Sequence, residues 1–418
     1  MRDAKRPKIR IKIMAEGCLL MIEIGIILSL LILLFSYYIV SVKDNSYVNV
    51  LTPGLFVLIP SNYILELIHI YYNGYSGSVF AYIFCYLVYS IQAICFSLTY
   101  CYFPSIKNSN PLFHKFHEIK ILPYIFILIG IILYLPIIME YQEFILNPRE
   151  IYIRTRTGYG IEFFLSTLSL NIGFILMLFS QKKYNYKIWC TLLICVIFAF
   201  LHGSKAQVVA YGFIMSLHYI YVLHNRLAII KMVSYLILFT IIILMFFNYT
   251  YSEVNLVDLL PWMSGYSDYT RNAMLVIDSN RELLFGRLTL ENTVYSRIPR
   301  ALYPDKPKNF GEFYLAEQFY QEWFDGDTGA PSFGIGLQYA DFGILSCLYL
   351  VFWSILSAIL LKFFMYKLRC YKHPSDFIMI LFFSGVSILP LGAGYLLIEH
   401  FMIAVFISIL AYWRYKLR

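Results

Sequence analysis

The chain has 418 residues, of which 60% are hydrophobic and 14% charged, and its formal net charge is +8. Apolar runs of about twenty residues recur from end to end, which excludes a water-soluble globular domain and points to a polytopic membrane protein. The lysines and arginines sit mostly in short loops between those runs, where they read as an orientation signal and not as a nucleic-acid surface.

Taken in chain order, MRDAKRPKIRIK resembles the start of a secretory signal. The apolar stretch behind it, near 13–42, is too long for one and lacks a small-residue cleavage pattern, so a retained first span is expected. Runs able to cross ~30 Å of hydrocarbon lie near 18–41, 48–70, 79–101, 120–139, 161–181, 187–201, 205–223, 228–249, 332–361, 376–394 and 398–414, eleven in all. The eight cysteines fall in or beside these runs with no disulfide framework and no zinc spacing, and no metal is expected. The expected fold is an all-α polytopic integral membrane protein, a single transmembrane domain over 1–418 with about 10–12 transmembrane helices.

Five basic clusters alternate consistently and mark the cytoplasmic side: Lys107, Lys115 and Lys120; Lys182, Lys183 and Lys187; Arg226 and Lys231; Lys362, Lys367, Arg369 and Lys372; Arg414, Lys416 and Arg418. They put 140–160, the turn at 202–205, the segment 251–331 and the turn near 395–400 together on the outer face. Eleven passes cannot leave both basic termini inside. The weakest run, 48–70, carries Pro53, Gly54 and Pro60 and is expected to be re-entrant or broken, giving ten full passes; twelve is the other even solution.

The 81-residue segment 251–331 holds twelve acids against seven bases. A loop of that length is expected to contain helices and to carry function. Within it GEFYLAEQFYQEWF, 311–324, spaces Leu315, Phe319 and Trp323 four apart and predicts an amphipathic helix on the membrane surface.

Chemistry-bearing residues concentrate in the outer segments. RIPRALYPDKPKNFG, 297–311, sets Arg297, Arg300, Lys306 and Lys308 around three prolines that stiffen the chain. Arginine offers a planar fork of donors suited to phosphate oxygens, although the same arginines could simply pair with nearby acids. NPREIYIRTRTGYG, 147–160, repeats the theme with Arg149, Arg154 and Arg156. The turn LHGSKAQ, 201–207, adds His202 and Lys205, which could equally be a snorkelling side chain. Three basic elements could thus converge on one anionic ligand.

RIPRALYPDKP, followed by a polar loop and by APSFGIGLQYADFG at the start of a span, resembles the Wzy-type O-antigen and oligosaccharide repeat-unit polymerases. The layout of most of the chain fits, and the specific part runs from Arg297 to Gly343. Arg149 with Gly160 and Arg300 with Gly311 both show the R-x10-G spacing described for some members. Their positions, one pair per basic segment, give weight to a spacing that arises about once by chance in such a chain. Where relatives commonly have Ser-Arg at the short turn, Ser204 and Lys205 keep the charge without the fork.

The resemblance implies glycosyl transfer between two undecaprenyl-diphosphate-linked glycans at the periplasmic face of the inner membrane. The donor carries its own leaving group, so no nucleotide sugar, metal or other cofactor is needed. Arg297, Arg300, Lys306, Arg149, Arg154, Arg156 and Lys205 are then expected to hold the diphosphate, with Arg300 stabilising the departing charge. Glu399, His400, Asp305 and Asp341 are candidates to take the acceptor proton, Asp341 lying about nine residues, roughly 14 Å, inside a span. Each has a plainer alternative, capping or interfacial for Glu399 and His400 and an interhelical hydrogen bond for Asp341. Glu23 and Glu66 are expected as buried partners. Tyr303, Tyr314, Phe319 and Trp323 could stack on sugars. A chain-length regulator and a flippase are expected partners beside the membrane lipid. An O-antigen ligase and a lipid-linked glycan transporter are the competing readings.

Overall fold

The computed structural model describes residues 6–103, 121–155, 158–181, 183–224, 264–265, 268–279, 281–295, 298, 303–321, 331–386, 405 and 407. Every regular element among them is helical. Six helical paths are long and apolar enough to cross a membrane: Leu20–Asp44, Thr52–Asn73, Val79–Tyr102, Leu122–Glu140, Gly160–Ser180 and Gly336–Tyr371. Two shorter apolar helices, Tyr186–Leu201 and Pro374–Ser384, accompany them. In hydrocarbon only intra-segment hydrogen bonds satisfy the backbone, which is why apolar runs of this kind become helices.

The first unit is α1 (Arg6–Asp44), α2 (Thr52–Leu58), a π-helical turn (Ile59–Ile64), α3 (Leu65–Asn73) and α4 (Val79–Tyr102). α1 and α4 run parallel. Ser29 Oγ donates to Tyr86 O at 2.9 Å, and Ser90 Oγ to Ser29 Oγ at 2.8 Å. At their C-terminal ends Tyr100 OH donates to Asp44 at 3.0 Å. Between them 52–73 runs the other way. Val50, just before it, donates its N–H to Tyr221 OH at the Asp44 end, and Ser76, just after it, bonds His69 at the opposite end. The segment expected to be re-entrant is therefore helical throughout and traverses the bundle. Pro60, which lacks a donor and clashes with the preceding turn, is absorbed by the π-helical turn instead of breaking the helix.

The second unit is α5 (Leu122–Glu140), α6 (Pro148–Thr155), α7 (Gly160–Ser180), α8 (Tyr186–Leu201) and α9 (Lys205–Tyr221). α5 and α7 pack antiparallel through two glycines. A Cβ on Gly130 would lie 2.7 Å from Leu170 Cγ, and one on Gly173 would lie 3.1 Å from Ile127 N. Small residues let helices approach where no hydrophobic force drives them together, and Ser166 Oγ adds a 2.7 Å bond to Gly130 O. α9 ends with Tyr221 OH 2.5 Å from Asp44 Oδ2, so its start lies at the opposite end of the bundle.

The third unit comprises α10 (Asp268–Asp278), α11 (Arg287–Tyr295), α12 (Glu312–Phe319) and α13 (Gly336–Phe342). Val276, Leu288, Leu315, Ala316, Phe333, Leu337 and Ala340 form its apolar core. The long segment thus contains helices, as expected. α12 turns Leu315 into this core, at 0% exposure, instead of laying it on a membrane surface. Its helix ends at Phe319, and Trp323 lies outside the described residues.

Gly343, at φ +56, interrupts what read as one span from 332 to 361. α13 ends there, and after a short 3-10 turn α14 (Ser346–Tyr371) carries the chain along α4, where Gln92 Nε2 reaches Ser354 Oγ at 3.2 Å. α15 (Pro374–Val386) returns, with Lys367 Nζ 3.3 Å from Asp376 Oδ1 at the turn. Because α1 runs parallel to α4, it begins at the end that carries α10–α13. The expected runs 228–249 and 398–414, on which the number of passes depends, lie outside the described residues.

Candidate functional site

Helix directions bring three basic elements to one end of the bundle: α6, the turn between α8 and α9, and the unit α10–α13. The last docks there through Asp278, which accepts from Ser78 N at 2.7 Å and Ser78 Oγ at 2.5 Å at the first turn of α4.

Arg271 makes the deepest anchor. Its Nε lies 3.8 Å from Glu66 Oε2, and Glu66, at 0% exposure, also accepts from Tyr82 OH at 2.7 Å. Nη1 reaches His69 Nδ1 at 2.5 Å, and Nη2 donates to Ser264 O at 2.7 Å. An arginine can only donate, so His69 Nδ1 accepts and Nε2–H turns to Ser76 Oγ, 3.1 Å away. A buried carboxylate is tolerable because it is paired in this way. Glu66 is a buried partner, as expected; Arg271 was not singled out. An arginine three residues after Asp268 on an amphipathic stretch was the available signal. Glu23 is likewise partnered, accepting from Tyr75 OH at 3.1 Å.

Within the hook, 303–306 is a β-turn. Lys306 N donates to Tyr303 O at 3.1 Å, and Pro304 supplies the fixed φ that its second position favours. Lys306 Nζ donates to Ile298 O at 3.1 Å and lies 4.7 Å from the Phe310 ring. Phe310 is buried against Tyr295 and Phe313. Asp305 is exposed at the tip, and Tyr303 lies against Tyr295 at 6.5 Å. Gly311, at φ +53, closes the hook; a Cβ there would meet Asn292 Cβ at 2.5 Å. Arg297 and Arg300 lie outside the described residues, as do Arg156, Glu399 and His400.

Asp341 makes the interhelical hydrogen bonds that were the plainer of its two expected roles. It is fully buried, and its two oxygens accept from Leu288 N at 3.0 Å and Thr289 N at 2.7 Å, capping the first turn of α11. Because the path Gly336–Tyr371 turns at Gly343, Asp341 lies in its short first helix, which packs into the small helical unit. Glu312 is held similarly, accepting from Ser332 Oγ at 2.8 Å and Phe333 N at 3.1 Å. Burial nevertheless pushes its carboxyl above the usual range.

The second basic segment and the short turn do meet. Gly203, at φ +62, packs so closely on α6 that a Cβ would lie 2.9 Å from Pro148 O. Arg149 stands 5.3 Å from the Tyr152 ring, and Arg154 Nε is 3.5 Å from Glu150 and over Phe144 at 4.2 Å. The Arg154 pair is exposed and contributes little stability. His202 is buried between Tyr134 and Phe163 and donates from Nδ1 to Phe198 O at 2.6 Å. Desolvation pushes its pKa down to about 4, so it adds no charge. Lys205 opens α9. This group rests on a cluster around Tyr134, Ile137 and Ile151, separate from the core under the hook.

Arg281 faces Tyr314 and Phe319, two of the rings considered for sugar stacking, and Arg287 faces Tyr314. Neither arginine stood out in a segment whose acids outnumber its bases.

Fold and site together define a polytopic helical membrane protein that gathers its cationic elements at one end of the bundle. Comparison with known proteins narrows this class. The chain is 35% identical over 398 residues to the O-antigen polymerases of Salmonella typhimurium strain LT2 and of Salmonella typhi, covering 93% of this chain and 95% of each relative. It belongs to the O-antigen polymerase family. No protein-family model and no solved structure matches it.

Proposed function

We propose that this O-antigen polymerase joins undecaprenyl-diphosphate-linked repeat units at the bundle end that carries α10–α13, and that this end faces the periplasm from the inner membrane. The family assignment over 93% of the chain is the observation that carries the reading; the relatives' name does not favour the ligase or transporter alternatives.

In the step proposed, an acceptor hydroxyl attacks the anomeric carbon of the growing glycan. The carbon–oxygen bond to the diphosphate breaks, and undecaprenyl diphosphate leaves with the electron pair. The hydroxyl proton passes to a base, for which Glu399, His400 and Asp305 are the candidates. Asp341, with both oxygens engaged, is a positioning residue. Arg300 and Arg297, with Lys306, are assigned to the diphosphate, whose charge grows as the bond breaks. Arg149, Arg154, Arg156 and Lys205 form a second cationic group at the same end. A flippase that delivers the units and a regulator of chain length belong to the same scheme.

The test is glycan length in a host without its own copy. Arg300→Ala is expected to leave lipopolysaccharide core carrying a single repeat. Full-length polymer from that variant would remove Arg300 from the site, and bare core in the knockout would point to a ligase.

A further inference from the structure

Arg281 lies in the extended stretch between α10 and α11. Its guanidinium carbon is 5.7 Å from the Tyr314 ring centroid and 5.3 Å from that of Phe319. Its Nη1 is buried and has no hydrogen-bond partner among the described residues, an arrangement that is unfavourable when left unmet. Rings against a guanidinium orient it while leaving its in-plane N–H groups for another acceptor. Arg287 stands 5.6 Å from the same Tyr314 ring, with its Nε 2.8 Å from Glu291 Oε1. The other oxygen of Glu291 is 3.5 Å from the N–H of Gly311, which closes the hook. Two cations therefore share one aromatic ring, and among the described residues only Arg287, which reaches the hook through Glu291, is balanced by a carboxylate.

Height above the bilayer adds a second constraint. Asp278 is bonded to Ser78 at the start of the span α4. Arg281 follows three residues later, so its Cα lies within ~11 Å of that of Asp278. Arg281 therefore lies near the end of an apolar helix long enough to cross a membrane.

We propose that Arg281, Arg287 and Tyr314 form a subsite for the diphosphate of a polyprenyl-diphosphate-linked substrate. The assignment rests on the polymerase reading for its ligand. Arg281 supplies the planar fork, Tyr314 orients it, and Arg287 adds long-range attraction.

The test uses the full-length protein in lipid nanodiscs, with undecaprenyl diphosphate lacking any glycan as probe and undecaprenyl monophosphate as reference. Arg281→Ala is expected to weaken diphosphate binding at least tenfold. Arg281→Lys, which keeps the charge but loses the planar fork, is expected to lose most of the preference for diphosphate over monophosphate; it carries the test if the alanine variant does not fold. Diphosphate binding at wild-type strength in the folded variants would overturn the subsite, as would a loss of glycan extension without a loss of binding. Wild-type protein that binds the probe but does not extend lipid-linked repeat units would instead overturn the polymerase reading.

Discussion

Asp341 shows how one buried carboxylate can be read in two ways. An acid in an apolar run is by default functional or paired, and here pairing wins, since both oxygens meet backbone N–H groups at the start of α11. Asp341→Ala should lower stability by about 0.5–2 kcal/mol, the usual worth of a cap. Asp341→Asn, which still accepts one bond, should retain much of that stability and most of the polymer length. Thermal unfolding and glycan ladders of the two variants check this; loss of polymer in a stable Asp341→Asn protein would return Asp341 to the catalytic list. The sequence made Asp341 conspicuous without revealing its partner, because Leu288 lies 53 positions earlier and only folding joins them. The pairing of Glu66 with Arg271 was hidden for the same reason, the two lying 205 positions apart along the chain yet in one buried cluster.

At the scale of elements, periodicity and composition located the helices found among the described residues, since the hydrocarbon leaves the chain few alternatives. They misjudged two junctions. Pro60 looked like a break but is taken up by a π-helical turn, and the run from 332 looked continuous but is cut at Gly343. α12 was legible as amphipathic, but nothing local said that its apolar face would meet Val276, Leu288 and Leu337 and not lipid. The two R-x10-G pairs also differ physically. Gly311 needs its missing Cβ, whereas one on Gly160, at the start of α7, would meet nothing within 4 Å. Gly311→Ala is therefore expected to distort the hook and shorten the glycan, and Gly160→Ala to leave it near wild-type length. Equal effects of the two substitutions on the ladder would contradict this.

For the molecule as a whole, the direction of each helix matters more than the number of spans. α1 and α4 run together, 52–73 runs against them, and α9 meets Asp44 at its far end. This ordering collects α6, the 202–204 turn and α10–α13 at one end, an arrangement that basic-loop counting anticipated for these elements but not for the start of α1. Single cysteines at positions 8 and 305, in a background without native cysteines, should both react with a membrane-impermeant maleimide added to spheroplasts, and one at 372 only after permeabilisation. Labelling at 305 alone, with 8 protected until permeabilisation like 372, would reverse the proposed orientation of α1.

The most direct measurement is reconstitution. Purified protein in lipid vesicles would receive undecaprenyl-diphosphate-linked single repeat units, with no nucleotide sugar and no ion gradient. The expected result is a ladder of lengthened lipid-linked glycans, with undecaprenyl diphosphate released once per added unit, and no ladder from Arg300→Ala. Repeat units that stay single under wild-type protein, or lengthen only when an energy source is supplied, would contradict it.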